Sequence, residues 1–433
     1  MRRRASKPSS AGSAVHILFL TDNFPPEVNA PASRTFEHCV EWVRAGHRVT
    51  VITCQPNFPT GKIFDGYRNR LYQREEVEGI ELIRVWSFIT ANEGLLKRTL
   101  DYVSFMVAGT IAALFVRRFD VIVATSPQFF TAVAGYAVSR LRRRPYVFEV
   151  RDLWPESIRA VGAMSEGPVL SMLERLELFL YRKAASIITV TKAFKKNLIE
   201  RGIAADKIHV VTNGADLSRF EPRPKDTALL ELLDLRGRFV AGYVGTHGMA
   251  HALETILGAA ERLGNDAEAL DVRILLLGDG ANKQALKATA AEKNLTNVIF
   301  VDSVAKDEVA RYWSLLDVSI IHLKKTPLFT TVIPSKLFEC MAMGLPVLHG
   351  VAGESAEIVR LDDAGLVFEP ENVDALCQGL LALLRDPRRR AEIAQNAQAA
   401  AARYDRKTLA LEMLNLLDRT VRSGDANPDL GNG

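Results

Sequence analysis

Phe239-Val-Ala-Gly-Tyr-Val-Gly245 is a short apolar run that closes on a glycine and passes straight into Thr246-His-Gly248. A continuous apolar stretch of this length, ended by turn residues, reads as a strand buried on both faces of a parallel sheet. Downstream the pattern continues through Val272-Arg-Ile-Leu-Leu-Leu-Gly278, Val298-Ile-Phe-Val301 and Val318-Ser-Ile-Ile321. Upstream lies Phe220-Glu-Pro-Arg-Pro224, a proline-bearing linker. Before the linker the same kind of run occurs at Val15-His-Ile-Leu-Phe-Leu20, Arg48-Val-Thr-Val-Ile-Thr53, Val121-Ile-Val-Ala-Thr125, Tyr146-Val-Phe-Glu-Val150, Ser186-Ile-Ile-Thr-Val190 and Ile208-His-Val-Val-Thr212. Helical stretches such as Ser33 to Ala45 fall between some of them. Strand, helix, strand means a parallel sheet covered on both faces, so an alternation that stops at the linker and then restarts predicts an α/β chain of two doubly wound, Rossmann-like domains. Ligands of such sheets bind beyond the carboxyl ends of the strands, and two such domains facing one another are expected to enclose a cleft.

The expected organisation is a basic, disordered tail over 1–14, a first domain over 15–215, a second over 216–404, a helix over 405–422 that packs back on the first domain, and a disordered tail over 423–433. A chain of 433 residues is long enough for two cores, and its 48% hydrophobic and 24% charged content excludes a largely disordered or collagen-like protein. The first residues carry Arg2, Arg3, Arg4 and Lys7 with no apolar run before Val15, which does not read as a secretory signal. Cys39, Cys54, Cys340 and Cys377 have no paired spacing, which points to neither a zinc site nor a disulfide framework and suggests a reducing, cytoplasmic compartment.

The net charge of +4 is too small to mark a nucleic-acid-binding protein, but it is unevenly spread. Residues 1–212 hold 30 Lys and Arg against 20 Asp and Glu, and the remainder holds 25 against 31. A basic first half suggests that this half approaches something anionic, a phospholipid surface or a pyrophosphate, unless the bases are merely a solvated face. The run Val103-Ser-Phe-Met-Val-Ala-Gly-Thr-Ile-Ala-Ala-Leu-Phe-Val116 is too short to span a bilayer, which takes about 20 residues. It reads as a helix buried in the first domain or one with a side offered to lipid. Basic clusters at Arg140 with Arg142-Arg143-Arg144, and at Lys192 with Lys195-Lys196, favour the inner face of an anionic membrane.

Three stretches carry candidate chemistry. In Leu275-Leu-Leu-Gly-Asp-Gly-Ala-Asn-Lys283, Gly278 and Gly280 stand in a strand-to-helix turn, where backbone N–H groups can face an anion; Lys283 occupies the place where a dinucleotide fingerprint has its third glycine. The second turn of this kind, Gly245-Thr246-His247-Gly248, offers small residues and backbone donors. Either is also readable as a tight turn and no more. The stretch Thr330-Thr-Val-Ile-Pro-Ser-Lys-Leu-Phe-Glu-Cys-Met-Ala-Met-Gly-Leu-Pro-Val-Leu348 predicts a loop, a helix from about Pro334 to Met343, and a strand. Lys336 and Glu339 then lie one turn apart. An ammonium suits phosphate oxygens and a carboxylate suits two ribose hydroxyls, although a plain surface ion pair has the same spacing.

At these residues the sequence resembles the retaining GT-B glycosyltransferases grouped with sucrose synthase and mannosyltransferases, over essentially the whole chain. Their second domain carries a Glu-x7-Glu element, and Glu339-Cys-Met-Ala-Met-Gly344-Leu-Pro346-Val347 matches its ending, with Thr331 where the first glutamate would stand. The relatives place an Arg and a Lys after the first strand of this domain; the matching Gly245-Thr-His-Gly-Met-Ala-His251 has neither, which leaves His247, His251 and Lys336 as substitutes. Phe24-Pro-Pro-Glu-Val-Asn-Ala-Pro-Ala-Ser-Arg34 and Glu149-Val-Arg-Asp-Leu-Trp-Pro-Glu-Ser157 are similar to a bacterial subgroup that includes N-acetyl-L-fucosamine transferases of O-antigen and capsule assembly. Asn29-Ala30 falls where many relatives have a glycine, and Arg151-Asp152 where many have a His-Asp or His-Glu pair.

The resemblance implies a first domain for the acceptor and a second for a nucleotide-sugar donor. It implies Asp152, Arg151 and Lys336 as catalytic residues. Donor binding falls to Glu339, Lys336, Gly245, Thr246, His247, Gly248, Gly278, Gly280, Ser335 and Thr331, and acceptor binding to Asn23, Asn29, Arg34, Trp154 and Glu156. No Asp-x-Asp occurs in the chain, so no metal is expected, and the co-substrate expected is a UDP-sugar with no further cofactor. The expected partners are this donor, an undecaprenyl-diphosphate-linked sugar acceptor and the inner face of the bacterial plasma membrane, with no nucleic acid. A nucleotide-sugar epimerase of the same architecture, a non-catalytic component of a polysaccharide assembly complex and a dinucleotide oxidoreductase are the rival readings.

Overall fold

The computed structural model describes residues 14–58, 60–90, 95–154 and 167–426. The expected tail over 1–14 lies outside them except for its last residue. Contacts group the described residues up to Thr189, Leu198–His209 and the residues from Ala410 into one unit, and Val190–Asn197 with Val210–Leu409 into another.

The first unit is built on β1 (His16–Leu20), β2 (Arg48–Thr53), β3 (Tyr72–Val77), β4 (Ile80–Val85), β5 (Val121–Thr125), β6 (Tyr146–Val150), β7 (Ser186–Thr189) and β8 (Ile208–Val210), in the order β3-β4-β2-β1-β5-β6-β7-β8. The pairings from β4 through β7 are parallel. Every residue of β1, β5 and β6 is buried, which is why these strands are legible as unbroken apolar runs. The β3–β4 hairpin is antiparallel and was not anticipated from sequence. Its outer strand, Tyr-Gln-Arg-Glu-Glu-Val, alternates between exposed and half-buried positions and carries charge along the sheet edge, which discourages pairing with another chain. Glu78 and Gly79 both have positive φ at its turn, as a tight two-residue hairpin requires.

In the second unit β9 (Phe239–Val244), β10 (Val272–Leu277), β11 (Val298–Val301), β12 (Val318–His322), β13 (Val347–Gly350) and β14 (Gly365–Val367) form an all-parallel sheet in the order β11-β10-β9-β12-β13-β14. Two apolar clusters, one on each face, hold it: Trp313, Leu337, Phe338 and Met341 belong to one, and Tyr243, Ile256, Leu276 and Leu380 to the other.

In both sheets the chain runs outward in one direction and then returns to continue in the other. The reversal falls between β1 and β5 in the first unit and between β9 and β12 in the second. Helices cross to opposite faces at such a point and leave a crevice beyond the strand ends, so these two places are where ligand-binding loops belong.

The C-terminal helix runs Arg406–Ala426 and corrects the expected tail, since residues 423–426 are helical. Leu409, Met413, Leu414 and Leu417 supply its buried side, and within the first unit the Trp42 indole N–H donates to the Ala410 carbonyl at 2.8 Å. Backbone hydrogen bonding carries the helix past its last buried residue, Thr420, where side-chain periodicity no longer signals it.

Candidate functional site

The turns that follow β9 and β10 zip together. Gly245 N–H donates to Leu277 O at 2.9 Å, His247 N–H to Asp279 O at 2.8 Å, and Asn282 N–H to His247 O at 2.9 Å. A Cβ on Gly278 would collide with the Gly245 carbonyl, and one on Gly280 would stand 2.5 Å from His247 O. Glycine is needed at both because two backbones approach one another. Where the fingerprint would have a third glycine, Lys283 is buried, donates to Gly278 O at 2.7 Å and pairs with Asp302. It ties the turn from behind.

Lys336 opens the Lys336–Ala342 helix and points its ammonium into this cluster. Nζ sits 3.8 Å from the centroid of the Tyr243 ring, and a Cβ on Gly245 would be 2.5 Å from it. Gly245 therefore makes room for the ammonium, and the ring face attracts it. Nζ is buried and has no hydrogen-bond partner among the described residues. Burial pushes it down to about 8, against the opposing charges of Cys340 and Glu339. A buried cation without an acceptor is costly unless an anion completes the site.

His247 is fully buried, with neither ring nitrogen hydrogen-bonded, and His251 Nδ1 is likewise buried and unbonded. Burial, then the Lys283 and Lys336 charges, pushes His247 down to about 4; burial and Lys336 push His251 down to about 3. Both rings are neutral at pH 7, able to hydrogen-bond without adding charge. His322, at the end of β12, holds the His251 turn. Glu371 N–H donates to its Nε2 at 2.8 Å, so Nδ1 carries the proton and donates to His251 O at 2.8 Å.

Gly245, Thr246, His247, Gly248, Gly278, Gly280 and Lys336 thus belong to one cluster, to which Tyr243 is added; Thr246 O accepts from the Tyr243 hydroxyl at 2.9 Å. Glu339 lies one turn along the helix. Burial raises its carboxyl, while the charges of Arg406, Lys306 and Lys336 pull the other way. Ser335 caps the helix without a side-chain hydrogen bond, and Thr331 ends the Leu328–Thr331 turn, donating to Leu328 O at 2.7 Å.

A pH dependence follows from the cluster. A diphosphate bound here would favour the charged form of Lys336, so affinity for a diphosphate such as UDP would be full below about 8 and decline above it as the free protein loses the ammonium. A calorimetric titration is expected to show roughly a tenfold loss between pH 7 and pH 9. A flat profile would mean that Lys336 does not meet the ligand.

In the first unit Asn29 Nδ2 donates to Asn23 Oδ1 at 2.6 Å, and Asn29 Oδ1 accepts from Ala32 N–H at 2.8 Å as a helix cap. Both asparagines line a cavity of about 250 Å³, with Asp22, Glu27, Asp101 and Tyr102. Arg34 and Trp154 are placed elsewhere, in the interior. Arg34 Nε lies 3.0 Å from Glu149 Oε1, and the Trp154 ring stacks on Phe129 at 4.5 Å and 12°. Burial raises the Glu149 carboxyl, but the Arg34 and Arg151 charges more than offset this and hold it below the usual range. Glu149→Ala would leave Arg34 without this counter-charge and is expected to cost about 3 kcal/mol, read as a loss in denaturant midpoint. The N–H groups of Arg151 and Asp152 both donate to Ser126 Oγ, at 2.7 and 3.1 Å, and Arg151 Nη1 donates to Pro31 O at 3.2 Å. Glu156 lies outside the described residues.

Tyr243, Glu27, Asp101 and Asp22 were not singled out from sequence, and Lys283 was marked only as standing where a third glycine would. Asp22 had a usable signal, since it lies in the loop just past the carboxyl end of β1, where ligands bind.

The two doubly wound sheets place this protein in the GT-B fold. Sucrose-phosphate synthase from Thermosynechococcus elongatus superposes with a TM-score of 0.74 at 16% identity, covering 94% of this chain and 100% of that one. Alr3699/HepE of Anabaena, solved with UDP and glucose, gives 0.70 at 19% identity, covering 94% and 100%. Residues 29–214 match the family model of the glycosyl transferase 4-like domain, and residues 238–386 that of glycosyl transferases group 1. The chain belongs to the group 1 glycosyltransferase family. Among curated relatives, a protein of Escherichia coli (strain K12) named as a colanic acid biosynthesis glycosyl transferase, WcaI, is 26% identical over 388 residues, 86% of this chain and 93% of that one.

Proposed function

We propose that the protein is a retaining, metal-independent glycosyltransferase that moves a sugar from a UDP-sugar to a lipid-linked sugar during assembly of a bacterial surface polysaccharide. The observation that carries this reading is the buried Lys336 ammonium, set against Gly245 and Tyr243 with no hydrogen-bond partner among the described residues. In this reading the ammonium meets the donor diphosphate, with neutral His247 and His251 beside it. HepE, of the same fold, is solved with UDP, and WcaI is named for a polysaccharide pathway; both support the reading. Glu339 would take the ribose hydroxyls. The donor sugar would be an N-acetylated deoxyhexose or hexosamine, and the acceptor a sugar on undecaprenyl diphosphate.

In this mechanism the bond from the anomeric carbon to the diphosphate breaks while the acceptor oxygen bonds to the same face, and the acceptor's proton passes to the departing phosphate oxygen. Lys336 stabilises the charge that gathers on that oxygen, a preorganised electrostatic contribution. Asp152 would orient the acceptor; it is not needed as a base.

Attachment to the inner face of the membrane fits the Leu95–Phe115 helix. Val107, Ile111 and Phe115 share one side of it and are 49%, 53% and 76% exposed, and no described helix is long and apolar enough to cross a membrane. The test is a panel of UDP- and GDP-sugars incubated with protein, EDTA and a lipid-diphosphate-linked N-acetylhexosamine, alongside co-sedimentation with anionic and neutral liposomes at low and high salt. Transfer from a UDP-sugar in EDTA, and salt-sensitive binding to anionic liposomes, are expected. Activity restored only by magnesium or manganese would refute the metal-free mechanism, and transfer to soluble sugars alone would refute the lipid-linked acceptor.

A further inference from the structure

The cavity at the β1/β5 reversal is acidic inside a basic half of the chain. Its lining includes Asp22, Glu27 and Asp101, and among the described lining residues Arg98 is the sole base. Arg98 is exposed, and its Nε donates to the Tyr102 hydroxyl at 2.8 Å. Glu27 is 3% exposed. Its Oε1 accepts the N–H groups of Asn57 and Phe58 at 2.8 and 2.9 Å, while its Oε2 is buried with no hydrogen-bond partner. Burial raises the Asp22 carboxyl, and burial together with the Asp22 charge pushes Asp101 up to about 7.

No three described His, Cys, Asp or Glu side chains are grouped to hold a metal ion, so these oxygens are not arranged as a cation cage. What they offer is hydrogen-bond acceptance in a confined space. At about 250 Å³ the cavity lies just below the roughly 300 Å³ at which small-molecule pockets begin, room for one sugar ring and not for a chain. A ring rich in hydroxyls supplies the donor that Glu27 Oε2 lacks and can donate to the carboxyls of Asp22 and Asp101 beside it. A ring with its own carboxylate would bring a further negative charge against them.

We propose that this cavity receives the terminal ring of the acceptor and selects a neutral or amino sugar over an acidic one, with Glu27 and Asp101 as the residues that set the preference. The inference rests on the glycosyltransferase reading, since it names the acceptor class for that reaction.

The experiment is saturation-transfer NMR on the full chain with methyl N-acetylglucosaminide and methyl glucuronide, with UDP titrated into the same samples by calorimetry. Glu27→Gln keeps the carbonyl that Asn57 and Phe58 use, and Asp101→Asn keeps the shape of the carboxyl. The wild-type chain is expected to bind the neutral glycoside and not the glucuronide. Each variant should bind the neutral glycoside about tenfold or more weakly, and UDP as the wild type does, which shows that it is folded. Glucuronide binding equal to that of the neutral glycoside would overturn the proposal. So would variants indistinguishable from wild type, or a chain that binds UDP but neither glycoside. Selective binding of the neutral glycoside without any binding of UDP would uphold the cavity's preference and overturn the UDP-sugar donor reading instead.

Discussion

Lys336→Met is expected to lower turnover of a UDP-sugar about 100-fold or more while leaving the fold intact. Methionine keeps an unbranched stem against the Tyr243 ring and removes only the charge, and the wild-type Nζ contributes no hydrogen bond to the described structure. Its loss relieves the cost of a buried cation, so the variant should be at least as stable as wild type. The loss of rate should exceed the loss of donor affinity, because charge on the diphosphate is greatest as the glycosidic bond breaks. Steady-state kinetics with a melting curve on the same preparation separates these effects. Unchanged kcat in a folded variant would remove Lys336 from the reaction.

Gly278→Ala is expected to cost about 3 kcal/mol or more and to abolish donor binding. The new methyl group would meet the Gly245 carbonyl, which is itself held through Gly245 N–H by Leu277, so neither backbone can yield without breaking the zipped turns. For a unit of this size such a loss corresponds to a fall in Tm of about 6–12 °C. Gly248→Ala is the comparison: φ there is −105°, and a Cβ would have only ordinary contacts with Thr246 and His251. A Gly278 variant as stable as the Gly248 variant would contradict the packing account of the paired turns.

Most of the parallel strands were legible because they are buried on both faces and so read as largely apolar runs, as in Val15–Leu20 and Phe239–Gly245, whereas the short, half-buried β14 was not named. The β3–β4 hairpin was not, since its outer strand is polar without a break from Gln73 to Glu76 and its turn, Glu78-Gly79, carries one glycine only. Lys336 and the glycine turns could be named from spacing. That Gly245 is required by the Lys336 ammonium could not, because it depends on a contact between distant segments, and that Lys283 braces Gly278 could not, because it depends on the path of the turn between them. Arg34 shows the opposite limit. The resemblance implies an acceptor contact for it, while its ion pair with Glu149, 115 positions away, could not be read from sequence. Asp22 and Glu27 share the loop after β1 while Asp101 lies on the Leu95–Phe115 helix, and only the fold of the first unit gathers the three around one cavity.

Calorimetry of UDP and uridine with wild type and Lys336→Met at pH 7 tests whether the Lys336 ammonium is matched to a donor's diphosphate. Wild type is expected to bind UDP far more tightly than uridine, and most of this preference is expected to disappear in the variant. A variant that keeps the full preference for UDP over uridine would contradict it.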